Sequence, residues 1–332
     1  MKKILIIRFS SIGDIILTTP VVRCLATQLP GAEIHYLTKK DFVPILANNP
    51  YIKKVIAFEG SLRQIIPILK AENYTHIVDL HKNLRSVYIL ARMCTSFSTF
   101  SKLSFRKWLL VKFKINIMPK IHIAERYLEA VKRFGIVNDG KGLDFFIPLS
   151  YHVDLEIFPL VFQKGYTGIV IGGKHNTKIL PVDKVIEIIK MLKLPVILLG
   201  GPEDRPNGET IRTAVGDKVF NACGQFTFMQ SASLVRQART IVSNDTGLMH
   251  VAAAFNKNIV SIWGNTVPEF GMYPYLPDVQ SGKTAIAEVH GLKCRPCSRI
   301  GFDKCPKGHF RCMKNQDTEK IATQVNLFSM FN

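Results

Sequence analysis

The sequence feature that most constrains the fold is a regular alternation of short apolar runs with helical segments. The helical segments carry apolar residues at a spacing of three to four, as in Leu248, Val251, Ala252 and Phe255. Strands that alternate with helices form parallel sheets covered on both faces, which is the doubly wound α/β arrangement. The predicted strands are Lys3–Arg8, Glu33–Leu37, Lys54–Ala57, His76–Asp79, Gly168–Ile171, Val196–Leu199, Val219–Asn221, Thr240–Val242 and Ile259–Trp263.

The alternation occurs in both halves of the chain, so we predict two domains of similar size, each with its own sheet. A weakly patterned stretch between Asp144 and Gly165, punctuated by Pro148 and Pro159, separates them. The predicted domains are residues 1–155 and 156–332, and the last helix could pack back on the first domain. Ligands of such sheets bind beyond the carboxyl ends of the strands, at helix N-termini. We therefore expect the site in a cleft between two facing domains.

The chain is strongly basic. Its 332 residues include 44 Lys and Arg against 25 Asp and Glu, a formal net charge of +19. With 47% hydrophobic residues it is too apolar to be disordered. A cationic surface attracts anions, so nucleic acid, an anionic membrane and a phosphorylated substrate are the candidate partners. No nucleic-acid reading element is visible, so we expect no nucleic-acid partner.

We expect that the chain carries no export signal. The apolar run before Arg8 has only four residues, and no small-residue cleavage site follows, so the start is predicted to be a strand and not a signal peptide. No apolar run of about 18 residues, the length that spans a bilayer, occurs. The seven cysteines, an odd number, indicate a reducing compartment. We predict a soluble cytoplasmic protein.

Three strand-to-helix turns carry most of the functional signal, and the first follows the first predicted strand. Ser10 and Ser11 can donate hydroxyl hydrogen bonds, Gly13 allows close approach of a ligand, and Asp14 begins a helix predicted to run to about Gln28. A carboxylate at a strand end can act as general base toward a hydroxyl. The alternative is that Asp14 only caps its helix.

The second turn follows the strand at 168–171 and contains Gly172, Gly173, Lys174 and Lys178. Two glycines expose backbone amides to a ligand and two lysines supply positive charge. The run does not match a P-loop, because Gly-x4-Gly-Lys-Ser/Thr is absent. The alternative, a flexible surface turn, is as reasonable for Lys174 but less so for Lys178, which lies next to a helix start.

The third turn places Asp245, Thr246 and Gly247 between a strand and a helix, where free backbone amides and a hydroxyl suit a phosphate. His250 follows on the first turn of that helix and could add a donor, although a lone histidine there is more often a packing residue. A further glycine-rich turn at 199–204 contains Glu203, which could bind a pair of sugar hydroxyls.

Residues 97–120 form a basic segment with interleaved aromatic residues and no acidic residue. Such a stretch suits anionic lipid or the phosphates of a lipid A-type acceptor. The alternative is a loop and helix packed on the N-terminal domain with a solvated cationic side. The residues predicted to contact the acceptor or membrane are Lys102, Arg106, Lys107, Trp108, Lys112 and Lys114.

A cysteine-rich stretch lies near the C-terminus. Its spacing, C-x2-C-x7-C-x3-H-x2-C, is compatible with a zinc site, but five candidate ligands exceed the four that zinc requires. We therefore predict no metal and favour reduced or locally paired thiols. The candidate ligands are Cys294, Cys297, Cys305, His309 and Cys312.

Taken together, these segments resemble the lipopolysaccharide heptosyltransferases of glycosyltransferase family 9, whose fold is the two-domain GT-B fold. The resemblance extends from Met1 into Ile262–Thr266 and departs from the usual pattern at Trp263–Thr266 and at Gly172–His175. It rests on the ordered set Ser10–Asp14, Lys178 before Leu180-Pro181, Leu199–Glu203 and Ser243–His250.

The resemblance implies an inverting, metal-independent transfer of heptose from ADP-L-glycero-D-manno-heptose to a 3-deoxy-octulosonate–lipid A inner core. Asp14 would deprotonate the acceptor hydroxyl, and Lys178, Thr246 and Gly247 would neutralise the ADP leaving group. The residues that would help to hold the donor are Asp245, Glu203 and His250, with Phe226 near the adenine. No cofactor is implied.

The resemblance also implies an enzyme peripheral to the cytoplasmic face of the inner membrane. Three alternatives remain open from the sequence. The same fold could use another nucleotide sugar, it could glycosylate a protein, or the chain could be a non-catalytic module that binds lipid A or zinc.

Overall fold

The fold was taken from a computed structural model, which describes residues 2–277 and 283–330. The chain forms two compact units. The first comprises Met1–Lys102 and Ile121–Phe146, and the second comprises Leu103–Lys120 and Ile147–Asn332. These units differ from the predicted domains in two places, because residues 103–120 and 147–155 belong to the second unit.

The first unit contains a five-stranded parallel sheet in the order β3-β2-β1-β4-β5. The central strand, β1, is covered on both faces, and its residues Leu5, Ile6 and Ile7 have no exposed surface. A strand covered on both faces needs apolar residues at consecutive positions, which explains the unbroken apolar run. The strands are β1 (Lys2–Ile7), β2 (Ala32–Lys39), β3 (Lys54–Phe58), β4 (His76–Asp79) and β5 (Phe97–Thr99).

The second unit contains a six-stranded parallel sheet in the order β11-β10-β9-β6-β7-β8. Gly168 in its centre is packed closely by Ile241, because a Cβ at residue 168 would lie 2.6 Å from Cδ1 of Ile241 and would force that side chain to shift. The strands are β6 (Thr167–Val170), β7 (Val196–Leu199), β8 (Val219–Asn221), β9 (Thr240–Asn244), β10 (Asn258–Trp263) and β11 (Thr284–Glu288).

Helices connect the strands of both sheets. They are α1 (Ile12–Ile16), α2 (Thr19–Gln28), α3 (Val43–Leu46), α4 (Leu62–Ala71), α5 (Leu84–Met93), α6 (Ser104–Phe113), α7 (Ile123–Leu128), α8 (Leu160–Gln163), α9 (Val182–Met191), α10 (Arg205–Val215), α11 (Phe228–Gln237), α12 (Gly247–Ala254), α13 (Arg311–Lys314) and α14 (Thr318–Met330). No helix in the described ranges combines the length and apolarity needed to cross a bilayer.

The helix predicted from Asp14 to Gln28 is wrong as a single element, since the structure divides it into α1 and α2. Pro20 has no backbone N–H, so it cannot donate to the carbonyl of Ile16 four residues earlier. The Thr19 hydroxyl donates to that carbonyl instead, at 2.7 Å. A side-chain hydrogen bond thus replaces the missing backbone one where the helix is interrupted.

The packing of two segments, the basic helix and the last helix, bears on the predicted domains. Helix α6 lies in the second unit, where Leu110 packs against Val267 and Phe270. Residues 97–102 of the basic segment belong to the first unit and residues 103–120 to the second, so the alternative that packs the helix of this segment on the N-terminal domain is wrong. The last helix, α14, packs on α9, β9 and β10 and contributes Ile321 and Val325 to the core of the second unit.

Candidate functional site

Asp14 lies at the carboxyl edge of the first sheet, in the first turn of α1. It accepts hydrogen bonds from the Ser11 hydroxyl at 2.8 Å and from the Ser11 amide at 3.3 Å. Its other oxygen pairs with the Arg8 guanidinium at 2.6 Å. Arg8 is itself anchored, because it donates to the carbonyls of Ser10 and Leu80. The carboxylate therefore has a fixed position, and it caps α1 as the simpler reading of the sequence proposed.

The surroundings of Asp14 keep it ionised. Burial alone would raise the pKa of its carboxyl, but the charge of Arg8 and the hydrogen bonds from Ser11 outweigh burial, so the pKa lies below its ordinary value. The side chain remains 21% exposed. Gly13 is buried, Ser10 is half-buried and Ser11 is exposed, with its hydroxyl committed to Asp14. Asp14 is thus a charged carboxylate that solvent or a substrate can reach.

The neighbouring strand β4 ends in a second polar cluster. Asp79 accepts the backbone amides of His81 and Lys82 and the hydroxyl of Ser86, which fixes the turn before α5. Burial and the charges of Arg8 and Lys102 lower the pKa of His81 to about 4, so its imidazole is neutral at physiological pH. Lys102 donates to the carbonyl of Lys82 at 2.7 Å. This cluster was not identified from the sequence.

A cationic cavity of about 770 Å³ opens at the same edge of the first unit, between the ends of β2 and β3 and the starts of α4 and α5. Among its charged lining residues, five cations outnumber two acids, and one acid, Glu59, is already paired with Lys40 at 2.6 Å. The cavity therefore favours an anionic ligand. The five cations are Lys39, Lys40, Arg63, Arg85 and Arg92.

In the second unit, the turns after β6 and β9 are in direct contact. A Cβ added to Gly173 would lie 3.4 Å from Cγ2 of Thr246. Lys178 donates to the Asp245 carboxylate at 2.6 Å. The Asn244 amide bonds the carbonyl of Val170 at 3.3 Å, which ties the two strand ends together. Two of the three turns singled out in the sequence therefore form one site.

Lys178 is not an isolated cation. Asp245, which neutralises it, also accepts a hydrogen bond from the Thr266 hydroxyl at 2.9 Å, and both members of the ion pair are largely buried. Lys174 is exposed. Asp245 thus orients Lys178, and a carboxylate this close to Lys178 moderates the attraction that the lysine exerts on an anion.

The N-terminus of α12 is open to a ligand. Thr246 is its N-cap, and the Thr246 side chain makes no capping hydrogen bond to the first-turn amides. Such amides, together with the helix dipole, attract phosphate. Thr246 and Gly247 are half-buried, whereas His250 is only 2% exposed, a burial usual for a packing residue.

The acid that organises the 199–204 turn is Asp204, and the sequence analysis emphasised its neighbour Glu203. Asp204 is buried and accepts the Gly201 amide at 2.8 Å. A Cβ on Gly172 would lie 2.0 Å from its carboxylate, so Gly172 is required for this contact. Glu203 is exposed, and Phe226 is half-buried with its ring 6.1 Å from that of Phe158. Their donor contacts stay predictions.

Comparison with known proteins identifies the family. The sequence profile of glycosyltransferase family 9 (heptosyltransferase) matches residues 62–297. The chain is a member of glycosyltransferase family 9. This glycosyltransferase is 24% identical to lipooligosaccharide heptosyltransferase 2 of Haemophilus influenzae, and the alignment covers 90% of this chain and 92% of that one.

Solved structures show the same GT-B fold. A family 9 glycosyltransferase from Veillonella parvula superimposes with a TM-score of 0.80 at 17% identity, covering 100% of this chain and 98% of that one. The ADP-heptose LPS heptosyltransferase II of E. coli gives a TM-score of 0.75 at 20% identity, covering 99% of both chains. The predicted fold class of two parallel-sheet α/β domains is confirmed.

The basic segment of this glycosyltransferase presents aromatic side chains to solvent. On α6, Phe105 is 67% exposed, Trp108 46% and Phe113 54%, and the ring of Trp108 contacts the other two. Arg106 and Lys112 are also exposed, Lys107 lies over the ring of Phe270, and Lys114 donates to the carbonyls of Val111 and Pro296. A membrane or acceptor role for these residues stays a prediction.

The cysteine-rich stretch carries free thiols. Cys294 lies 3.8 Å from Nε2 of His309, and the Cys297 thiol donates to the carbonyl of Cys294 at 3.0 Å. Burial raises the pKa of Cys297 and of Cys312 to about 11, which favours protonated thiols. Cys305 is half-buried. Across the part of the chain that the structure describes, no three His, Cys, Asp or Glu side chains are placed to share a metal ion.

Proposed function

We propose that this family 9 enzyme transfers heptose from ADP-L-glycero-D-manno-heptose to the 3-deoxy-octulosonate–lipid A inner core of lipopolysaccharide, with inversion at the anomeric carbon. The observation that carries the proposal is the paired turn of the second unit. There the start of α12, to which Thr246 gives no side-chain cap, lies together with a glycine turn and the largely buried Lys178, in a chain of a heptosyltransferase family.

The donor diphosphate is the group that this turn would hold. Gly173 has no side chain to obstruct it, and the amides of Thr246 and Gly247 at the start of α12 would donate to its oxygens. The E. coli enzyme with the same fold is an ADP-heptose LPS heptosyltransferase, which supports ADP as the nucleotide. Glu203 would bind the ribose hydroxyls, and Phe226 would lie near the adenine.

Negative charge grows on the diphosphate as the bond to the anomeric carbon breaks. Lys178 and the helix amides would stabilise this charge without rearranging, because Asp245 already fixes the ammonium group. Asp245 thus acts on the donor through Lys178. This arrangement supplies the electrostatic stabilisation from the residues of the chain itself.

Asp14 would accept the proton of the attacking acceptor hydroxyl. Its lowered pKa keeps it ionised, and Arg8 and Ser11 hold it in one orientation, so it is ready to accept a proton but is a weak base. A general base must lie within hydrogen-bond reach of the proton that it removes, and the fixed orientation of the Asp14 carboxylate supports that role. The proton would pass from the hydroxyl oxygen to Asp14, and the electron pair of the broken bond to ADP.

The acceptor inner core is anionic, and the cationic cavity of the first unit fits that chemistry. Arg63, Arg85 and Arg92 would pair with its carboxylates and phosphates. We propose in addition that Trp108 and the cations around it contact the inner-membrane surface from the cytoplasmic side, since an exposed aromatic group beside cations suits an anionic interface.

A donor screen by calorimetry tests the proposal. ADP-heptose, UDP-sugars and GDP-sugars are titrated into the wild-type enzyme, and the proposal expects ADP-heptose to bind most tightly. Tighter binding of a UDP- or GDP-sugar would identify another nucleotide-sugar transferase. Binding of none of them would favour a non-catalytic module.

A further inference from the structure

Arg295 lies outside the motifs discussed so far, yet its side chain is only 7% exposed and every arm of its guanidinium is engaged. It donates to the carbonyls of Gly264, Thr266 and Val289 and pairs with the Glu288 carboxylate at 2.6 Å. Two of these carbonyls belong to the turn that follows β10. Arginine suits this task because its planar fork reaches several acceptors at once.

The turn that Arg295 holds supplies a ligand to the donor turn. Thr266 bonds the Asp245 carboxylate at 2.9 Å through its hydroxyl, and the same carboxylate oxygen binds Lys178 at 2.6 Å. A continuous path of hydrogen bonds therefore runs from Arg295 through the backbone of Thr266 to Asp245 and then to Lys178. Each member before Lys178 is buried or nearly so.

Residues that follow Arg295 in the sequence make further hydrogen bonds to the turn after β10 and to the turn that carries Lys178. The Cys297 amide donates to the carbonyl of Asn265 at 3.0 Å. Thr177, which precedes Lys178, exchanges hydrogen bonds with Phe302 through its amide and its hydroxyl, at 2.8 to 3.1 Å. The loop from Arg295 to Phe302 is thus connected to both sides of the Lys178–Asp245 pair.

We propose that Arg295 is a positioning residue of the donor site, which fixes Thr266 and so holds Asp245 and Lys178 where the donor diphosphate binds. The inference rests on the proposed function for the role of Lys178. Arg295 itself touches no reacting atom. A displacement of about 1 Å in a group that stabilises the transition state lowers the rate about 100-fold, so the anchor has a measurable effect.

The test compares the Arg295→Met, Arg295→Lys and Lys178→Met enzymes with Arg23→Met as the matched control. Arg23 is also buried, pairs with Asp139 and Asp144, and donates to the carbonyl of Gly142. It belongs to the first unit and is not part of the proposed donor site or of the proposed base. Measured quantities are kcat and KM for the nucleotide sugar, the calorimetric Kd for ADP, and the melting temperature.

Arg295→Met is expected to lower kcat about 100-fold and to weaken ADP binding, whereas Arg23→Met lowers the melting temperature to a similar extent without either effect. Arg295→Lys keeps the positive charge but not the planar guanidinium, so its kcat should lie between that of the wild type and that of Arg295→Met. When Lys178→Met is already present, adding Arg295→Met should lower kcat only slightly further, because both substitutions act on the same ammonium group.

Equal kcat in the Arg295→Met and Arg23→Met enzymes, or fully multiplicative losses in the double variant, would overturn the proposal and leave Arg295 a purely structural residue. If the wild-type enzyme binds no ADP, the proposed donor is wrong, and the same variants are compared with the nucleotide sugar that the donor screen identifies. The two failures are therefore distinguishable.

Discussion

Replacing Asp14 by Asn tests the proposed base with the smallest change of shape. Asn keeps one oxygen for the Ser11 hydrogen bonds but loses the charge that pairs with Arg8 at 2.6 Å. Removing one partner of a buried ion pair costs about 3–5 kcal/mol. Because the Asp14 side chain is 21% exposed and Arg8 keeps two carbonyl partners, we expect about 2 kcal/mol of lost stability.

The effect on catalysis should be larger than the effect on folding. Loss of a general base lowers kcat by about 10²–10⁴, while the Kd for ADP should stay near that of the wild type, since the proposed donor residues lie in the second unit. Transfer assays, calorimetry and urea unfolding measure the three quantities separately. Equal losses in kcat and ADP affinity would mean that Asp14 shapes the donor site, and wild-type kcat would show that it is not the base.

The same pair makes a prediction about pH. The folded pKa of Asp14 lies below its ordinary value, so its contribution to stability is complete above about pH 4, the pKa of an unfolded aspartate, and is lost as the pH falls through the folded pKa. Protonation of Asp14 should also lower kcat, and we expect that loss only below about pH 4. The difference in stability between the wild type and Asp14→Asn should therefore shrink below about pH 4.

Three further outcomes follow from the described contacts. Lys178→Met should lower kcat about 10²–10³-fold in transfer assays, because it removes charge stabilisation at the leaving group; an unchanged kcat would contradict that role. Arg85→Ala should raise the acceptor KM about tenfold and leave the donor KM alone, whereas a change confined to the donor KM would exclude the cationic cavity as acceptor site. Trp108→Ser should weaken sedimentation with anionic vesicles while retaining kcat on a water-soluble acceptor; unchanged vesicle binding would remove α6 from the membrane contact.

The strands were largely predictable because buried parallel strands leave continuous apolar runs. His76–Asp79, Val196–Leu199 and Val219–Asn221 were predicted with the bounds that the structure has. Strands β5 and β11 were missed. Both are edge strands, and neither contains a fully buried residue, so the apolar signal that marks a covered strand is weak in them.

Contacts between distant parts of the chain could not be predicted from local patterns. The sequence identified Asp14 and Lys178, but it did not show that each has an ion-pair partner, although Arg8 lies only six residues from Asp14. The two adjacent acids that follow the glycines at 199–204 could not be told apart as Glu203 and Asp204 from the sequence. Only the close packing of Gly172 against Asp204 makes that choice. Likewise, α6 follows β5 in sequence but packs on Phe270.

The central claim is that the second unit holds an ADP-sugar whose sugar the enzyme passes to an anionic glycolipid. Release of ADP from ADP-heptose, measured in the presence and absence of 3-deoxy-octulosonate–lipid A, tests it most directly. The account predicts ADP release that depends on the acceptor and disappears in Asp14→Asn. No release with any acceptor, or release that is the same without one, would contradict it.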